Sequence, residues 1–247
     1  MTHSAAVPFR PSVVVDGVRK SFRINHALSL KDTVVAWIRR RTLVSQFDAL
    51  KNVDLLIEEG ESVAVLGLNG SGKSTLLKLI SGVMAPDAGQ VLTRGRVAGL
   101  IEVGAGFHPE LSGRENVYLN AAILGMKRPE IEQRYQDIVA FSEIEEFIDQ
   151  EVKHYSSGMF MRLAFSVAIH VEVDVLLVDE ILSVGDAPFR EKCRKKFEEL
   201  IAAHKTLVVV SHDLAMVGDL CRRGVVISKG EVVYDGPIDG AIELVDS

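Results

Sequence analysis

The chain has few of the residues that mark disulfide-bonded, secreted or membrane-embedded proteins. It contains two cysteines in 247 residues, Cys193 and Cys221, and their spacing fits no metal-binding or redox motif. No apolar run approaches the ~18 residues that cross a bilayer, and Met1 to Arg10 lack the apolar core of a secretion signal. We therefore expect a cytosolic chain whose thiols stay reduced and fill packing positions.

Basic charge is also scarce. The 28 lysine and arginine residues are outnumbered by 34 aspartate and glutamate residues, so the formal net charge is −6. A chain without a dominant basic face is not expected to have nucleic acid as its main partner. Its length allows one large α/β domain or a domain with a subdomain, and 47% hydrophobic residues supply an ample core.

A glycine-rich stretch from Gly67 to Thr75 fits the P-loop pattern G-x-x-x-x-G-K-[ST]. Before it, Ser62 to Leu66 is typical of a short buried strand, and the apolar spacing after it indicates a helix. A strand, a tight turn and a helix start direct several backbone N–H groups at one spot, which suits a polyphosphate. An ordinary strand-to-helix turn is the alternative, but it leaves the lysine unexplained.

Each residue type in this stretch has an expected task. Glycines let the backbone approach a ligand, Lys73 can reach the outer phosphates, and the Ser74 hydroxyl can ligate Mg²⁺. The residues expected to bind the nucleotide here are Gly67, Asn69, Gly70, Ser71, Gly72, Lys73, Ser74 and Thr75.

The remaining periodic segments predict an α/β core interrupted by helices. A first strand is expected to begin at Val13 and to end near Lys20 to Arg23. Further strands are expected over Val53–Ile57, Gln90–Thr93, Val97–Glu102, Val175–Val178, Thr206–Val210, Val225–Ser228 and Glu231–Tyr234. Helices are expected over Arg114–Leu124, Pro129–Phe141, Gly158–His170 and Pro188–Ala203. A turn at Glu59-Gly60 is expected to return the second strand directly into the P-loop strand. We predict an α/β core with an antiparallel β subdomain at 12–106 and 171–247, and a helical subdomain at 107–170.

An insertion at residues 26–46 separates the first two strands. Apolar residues at helical spacing predict a short amphipathic helix from Lys31 to Arg41. Trp37 and the arginine run from Arg39 to Arg41 are residue types favoured at an anionic membrane surface. Contact with a membrane or a membrane partner is the preferred interpretation. The alternative is a helix that covers the domain's own core with a solvated basic edge.

Two acids follow a buried strand at Asp179-Glu180. At the carboxyl end of that strand, taken as a neighbour of the P-loop strand, Asp179 can hold Mg²⁺ directly or through water. Glu180 can then polarise the attacking water as a general base. His212 follows another buried strand and is expected at the same edge, where it can contact the terminal phosphate; a local bond to Asp213 is the alternative.

The stretch from Tyr155 to Met159 precedes the most regular helix of the predicted helical subdomain. Ser156 and Ser157 are natural N-cap residues, and Gly158 permits close approach. Capping alone explains them, but the same features make an anion site at a helix N-terminus. This site is expected to lie too far from the P-loop of its own chain, so a second copy packed head to tail would have to supply it.

These motifs together resemble the ABC-type ATPases, in order and spacing over nearly the whole chain. Gly67 to Thr75 is similar to the Walker A motif, Val175 to Glu180 to Walker B, Tyr155 to Met159 to the signature, Ser183 to Asp186 to the D-loop, and His212 to the switch histidine. The resemblance implies a P-loop NTPase fold with a RecA-like core, and a head-to-tail dimer that holds ATP and Mg²⁺ at its interface. It also implies nucleotide contacts from Ser156, Ser157, Gly158 and Asp186, and adenine stacking on Phe22, with Phe47 as a possible substitute.

Two features resemble the ATPases of lipid-linked polysaccharide exporters within that family: the inserted basic helix and the segment EVGAGFHPELSGREN from Glu102 to Asn116. The resemblance implies an integral membrane permease as partner, a location at the cytoplasmic face of the cell membrane, and a transported O-antigen, teichoic acid or galactan. Some members carry a C-terminal carbohydrate-binding domain, which we expect to be absent because the sequence ends at Ser247. The family's usual metal-contacting glutamine is missing between Val91 and Glu132, and Glu102 is its nearest substitute as a metal ligand.

The leading hypothesis is thus an ATP-hydrolysing subunit of a polysaccharide exporter. A soluble ABC-type switch that regulates or remodels an assembly without transport is the alternative. A third hypothesis, an inactive nucleotide-binding scaffold, is disfavoured by the presence of Lys73, Asp179, Glu180 and His212 together.

Overall fold

A computed structural model describes residues 10–25, 44–100, 104–179 and 186–246. The predicted helix from Lys31 to Arg41 lies outside these ranges, and so do Glu102 and Glu180. The described residues form alternating strands and helices. The strands are β1 Pro11–Asn25, β2 Val44–Glu58, β3 Ser62–Leu66, β4 Ala88–Thr93, β5 Val97–Leu100, β6 Val175–Asp179, β7 Thr206–Val210, β8 Arg223–Ser228 and β9 Glu231–Pro237. The helices are α1 Lys73–Ile80, α2 Gly113–Ile123, α3 Arg128–Ser142, α4 Ser157–Ile169, α5 Ala187–Ala202, α6 Leu214–Leu220 and α7 Ile238–Asp246, with 3₁₀ turns at Glu145–Phe147 and Val152–His154.

Helices α6 and α7 are additions to the predicted set. α6 has seven residues. Its start is marked by the capping residue Asp213, whose carboxylate accepts a hydrogen bond from the Met216 amide, and not by a repeat of apolar residues. α7 could have been predicted from the sequence, because Ile238, Ala241 and Ile242 recur at the spacing of one helix face.

The described strands form two sheets. Strands β2, β1 and β4 make an antiparallel sheet in that order, and β5, β6, β7, β3, β8 and β9 make a second sheet that is parallel except at β9. The predicted turn at Glu59-Gly60 is present, but β2 and β3 lie in different sheets. The turn at Glu59-Gly60, with Gly60 at φ 76°, instead carries the chain from the first sheet into the second.

The strand order corrects the predicted position of Asp179. β3 is buried along its whole length, as expected for a central strand of a parallel sheet covered on both faces. β7 lies between β3 and β6, so the strand that ends at Asp179 is not adjacent to the P-loop strand. The three strands are parallel, and their carboxyl ends therefore share one edge. His212 follows the intervening strand and brings its side chain to that edge.

Helices α2, α3 and α4 form the predicted helical layer, which joins the core through aromatic contacts. The predicted apolar face of α4 is buried at Leu163, Ala164 and Val167. Beside it, the Phe165 ring is 1% exposed and its centroid lies 6.0 Å from that of Phe189 on α5. The helical layer and α5 therefore share one core.

Both cysteines occupy packing positions, as predicted. Cys193 lies in α5 and Cys221 directly follows α6, and both side chains are buried and free. Burial raises the pKa of each thiol to about 12, so neither is a reactive thiolate at neutral pH.

The shared aromatic core predicts a large stability effect at Phe165. Replacing Phe165 by Ala should lower the free energy of unfolding by about 3–5 kcal/mol, because it removes a buried ring and leaves a cavity among three other phenylalanines. Urea denaturation of both variants measures this, with Phe147→Ala as the control at a ring that is 40% exposed. Equal losses for the two variants would contradict the packing described.

Candidate functional site

The backbone of the P-loop is wedged between two strands. A Cβ atom on Gly67 would lie 2.1 Å from the Ile227 carbonyl oxygen of β8, and one on Gly72 would lie 2.5 Å from the Ala49 carbonyl oxygen of β2. Both residues also have left-handed φ values, 140° and 117°. Gly70 has open space around it but a φ of 78°. The three glycines are therefore required by packing or by backbone conformation, before any ligand is considered.

The loop encloses polar groups that suit phosphate. Lys73 is 5% exposed, and its Nζ donates to the carbonyl oxygens of Gly67 at 2.7 Å and Leu68 at 3.1 Å. The Ser71 hydroxyl is buried and has no hydrogen-bond partner among the described residues. Helix α1 begins after Gly72, which has no side chain to cap its first N–H groups. A positive side chain, a buried hydroxyl and uncapped amides fit a polyphosphate.

A cavity of about 150 Å³ opens beside these groups. It is lined by Phe47, Ala49, Asn69, Gly70, Gly72, Lys73, Ser74 and Thr75. Phe47 is 46% exposed, so its ring is available to a ligand. Phe22 pairs with Phe47 across β1 and β2, and the Lys20 ammonium lies 5.9 Å from its ring. The geometry therefore favours Phe47 over Phe22 as the ring that an adenine would contact.

His212 reaches the P-loop itself. Its Nε2 donates to Oδ1 of Asn69 at 3.0 Å, which joins the end of β7 to the tip of the loop. The neighbouring Asp213 carboxylate accepts a hydrogen bond from the Met216 amide and caps α6. The pairing of His212 with Asn69 links residues 143 positions apart, so no local sequence pattern reports it.

Asp179 lies at the same edge with suitable chemistry for a metal. It pairs with Val210 across β6 and β7, so its half-buried carboxylate and the residues after β7 adjoin. Mg²⁺ usually takes only a few oxygen ligands from a protein, and phosphate and water complete its coordination shell. The Asp179 carboxylate and the Ser74 hydroxyl could serve as these ligands. Within the described ranges no group of three or more His, Cys, Asp or Glu residues forms a metal site.

The start of α4 is built as an exposed helix N-terminus. The Ser156 hydroxyl accepts a hydrogen bond from the Met159 amide at 3.2 Å, and Ser157 and Gly158 are exposed. Just before them, the Tyr155 hydroxyl donates to the Phe147 carbonyl at 2.8 Å, and burial raises the Tyr155 pKa to about 12. Ser156 therefore caps α4, as predicted. The hydrogen bond from Tyr155 to Phe147 holds the chain in place just before the cap.

Among the described residues, nothing requires a glycine at position 158. It is absent from the residues with positive φ, and a Cβ atom there would meet only the Ser156 hydroxyl, at 3.8 Å. A helical glycine costs roughly 1 kcal/mol relative to alanine. The glycine is explained if a group from outside the chain approaches the helix start closely.

Asp186 is engaged by its own chain. Its carboxylate accepts from the Phe189 amide at 3.3 Å, which caps α5, and from Nη2 of Arg162 at 2.7 Å. None of Ser156, Ser157, Gly158 and Asp186 lines the described P-loop cavity. The structure therefore brings the P-loop, His212 and the strand end at Asp179 to one edge of the sheet, with Phe47 lining the cavity. The start of α4 does not line that cavity.

Comparison with known proteins agrees with this geometry. The ABC transporter family profile matches residues 50–183. The ABC transporter protein AbcA of Aeromonas salmonicida is 46% identical over 92% of this chain and 73% of its own length. The O-antigen export system ATP-binding protein RfbB of Klebsiella pneumoniae is 42% identical over 95% of this chain and 97% of its own.

A solved structure shows the same fold. It is described as the dimeric post-hydrolysis state of the ATP-binding cassette MJ0796 bound to ADP and phosphate. The two structures have a TM-score of 0.72 over 92% of this chain and 98% of that one, at 24% sequence identity. The predicted P-loop α/β fold is thereby confirmed.

The cavity predicts which phenylalanine matters for nucleotide affinity. Phe47→Ala should weaken ATP binding about tenfold or more, because stacking of a base on an aromatic ring is worth ~1–3 kcal/mol. Phe22→Ala serves as the matched control and should change the affinity by less than about twofold. Equilibrium binding of a fluorescent ATP analogue measures both. A larger loss for Phe22→Ala would return the stacking role to Phe22.

Proposed function

Because the chain belongs to the ABC transporter family, we propose that it is the ATP-hydrolysing subunit of an exporter for a lipid-linked polysaccharide. The relative with nearly equal length is named for O-antigen export, which supports this substrate class. Neither relative is named as a regulatory switch, so nothing favours the alternative of a soluble switch. The observation that carries the proposal is the meeting of the P-loop, Asp179 and His212 at one edge of the parallel sheet.

The residues of that edge divide the work of hydrolysis. The amides that begin α1, together with Lys73 and Ser71, bind the phosphates of ATP, while Phe47 contacts its base. Ser74 and Asp179 would hold a Mg²⁺ ion, with Glu102 as a further candidate ligand, and the ion would supply positive charge to neutralise the phosphates. Glu180 polarises the water that attacks the terminal phosphorus, and the bond to the ADP oxygen breaks. His212, held by Asn69, orients the terminal phosphate.

A second copy of the chain completes the site. In a head-to-tail dimer the start of α4 from one copy, with Ser156, Ser157 and Gly158, faces the nucleotide held by the P-loop of the other. Two observations support this arrangement: these residues are exposed, and no described residue gives a steric reason for a glycine at position 158. The helix N-terminus would add further N–H donors to the phosphates.

A membrane permease is the second partner. The helices of the described ranges include none that is long and apolar enough to span a bilayer. A cavity of about 320 Å³ lies between the end of α1, β5, the segment 104–106 and α2. Its lining includes Val83 and Ile123, which are 77% and 61% exposed, as expected of a surface that binds a partner. The permease would bind there and hold the ATPase at the cytoplasmic face of the membrane.

Two substitutions separate binding from turnover. Lys73→Ala should lose ATP affinity, because the loop loses its only inward-pointing cation among the described P-loop residues. Glu180→Gln should bind ATP but lose about 10²–10⁴ in turnover, because the general base is gone, and should accumulate as an ATP-bound dimer. Equilibrium ATP binding, phosphate release and size-exclusion chromatography measure these effects.

The control for both substitutions is Arg128→Gln, which removes an exposed ion pair to Glu132 on α3 and should behave as wild type. Undiminished hydrolysis by Glu180→Gln would contradict its role as base. Unchanged ATP affinity of Lys73→Ala would contradict the assignment of the P-loop.

A further inference from the structure

Arg162 on α4 joins three helices through one guanidinium group. Its Nη1 donates to Oε2 of Glu143 at 2.7 Å, and its Nη2 donates to Oδ1 of Asp186 at 2.7 Å. The guanidinium carbon also lies 4.9 Å from the centre of the Phe189 ring. The side chain is 19% exposed, so it is held between its partners rather than extended into solvent.

Both carboxylates are placed by their own helix ends. Glu143 directly follows α3 with a left-handed φ of 59°, and it also accepts from Nζ of Lys192 on α5 at 3.0 Å. Lys192 and Arg162 hold the pKa of Glu143 below its ordinary value, so this carboxylate stays charged. Asp186 is the N-cap of α5 and accepts from the Phe189 amide. The guanidinium thus fixes the end of α3 and the start of α5 relative to α4.

The positions of these groups in the chain connect the Arg162 ion pairs to ATP hydrolysis. Arg162 lies in the second turn of the helix whose start carries Ser156 and Gly158. Asp186 ends the stretch of chain that begins at Asp179 and includes Glu180. One ion pair therefore joins the helix whose start is proposed to face the second copy to Asp186, which follows Asp179 and Glu180 in the chain.

We propose that Arg162 is a positioning residue for ATP hydrolysis, which keeps the start of α4 in register with Asp186 at the start of α5 by binding Asp186 and Glu143. The proposal rests on the function proposed above. An arginine suits this task because its planar fork binds two carboxylates at once, whereas a lysine ammonium acts as a single point charge. Partly exposed ion pairs contribute little to folding stability, so a purely structural role predicts little effect on turnover.

The experiment uses the full chain and four variants: Arg162→Gln, Arg162→Lys, Asp186→Asn and the double variant Arg162→Gln/Asp186→Asn. Asparagine caps a helix as well as aspartate does, so Asp186→Asn removes the charge partner and keeps the start of α5. The matched control is Arg134→Gln, which breaks an ion pair to Glu172 in the same helical layer. The rate of phosphate release, the KM for ATP and the melting temperature are measured for each.

A variant that breaks the Arg162 ion pairs misplaces one half of the site. We therefore expect kcat to fall while ATP binding is kept. The three single variants should lose about 10- to 100-fold in kcat and keep KM within about twofold, because the P-loop is untouched. The double variant should lose no more than the worse single variant, because both substitutions break the same link. In a Glu180→Gln background, Arg162→Gln should also reduce the ATP-induced dimer.

The proposal is overturned by an unchanged kcat in Asp186→Asn, by additive losses in the double variant, or by an equal loss in Arg134→Gln. A loss in Arg162→Gln that merely follows a lower melting temperature, with a raised KM, assigns the residue to stability alone. Failure of the wild-type chain to hydrolyse ATP would instead overturn the proposed function, so the two failures are distinguishable.

Discussion

Two carbonyl oxygens, from Ala49 and Ile227, pack against the α-carbons of Gly72 and Gly67 with no room for a side chain. This contact wedges the P-loop between the antiparallel sheet and the parallel sheet. Because β2 supplies one of the two oxygens, the same packing brings Phe47 to the mouth of the loop, where it lines the cavity. The geometry for phosphate and for the base therefore follows from one steric constraint.

On the function proposed above, this packing positions one half of a catalytic site. At the edge of the sheet the chain gathers a cation, a carboxylate strand end and the His212–Asn69 pair, but the start of α4 lies outside this cavity. Three features shape that helix start. Tyr155 holds it through a hydrogen bond to Phe147, Arg162 links its helix to Asp186, and Gly158 leaves space for another group to approach. A second copy of the chain that binds at this helix start would explain why it is both held in place and exposed.

The sequence predicts features that depend on local chemistry and misses those that depend on strand order. The P-loop and the strand ending at Asp179 carry dense local patterns, and both are present as predicted. The insertion of β7 between β3 and β6 could not be foreseen, because sheet order is set by long-range pairing. The same reason applies to the choice between Phe47 and Phe22, which pair directly and differ only in which ring lines the cavity. The pairing of Asp186 with Arg162 is likewise long-range, and the motif around Asp186 does not reveal it.

The central claim is that each site is shared between two copies, and a mixture of two inactive variants tests it most directly. Lys73→Ala disables the P-loop, and Gly158→Asp places a negative charge at the start of α4, where the Ser156 hydroxyl is the one described group near the new side chain. In a mixed dimer one site combines the intact P-loop of the Gly158→Asp chain with the intact helix start of the Lys73→Ala chain. We predict that neither variant hydrolyses ATP alone and that their mixture recovers part of the wild-type rate. A mixture as inactive as its components would contradict the shared site.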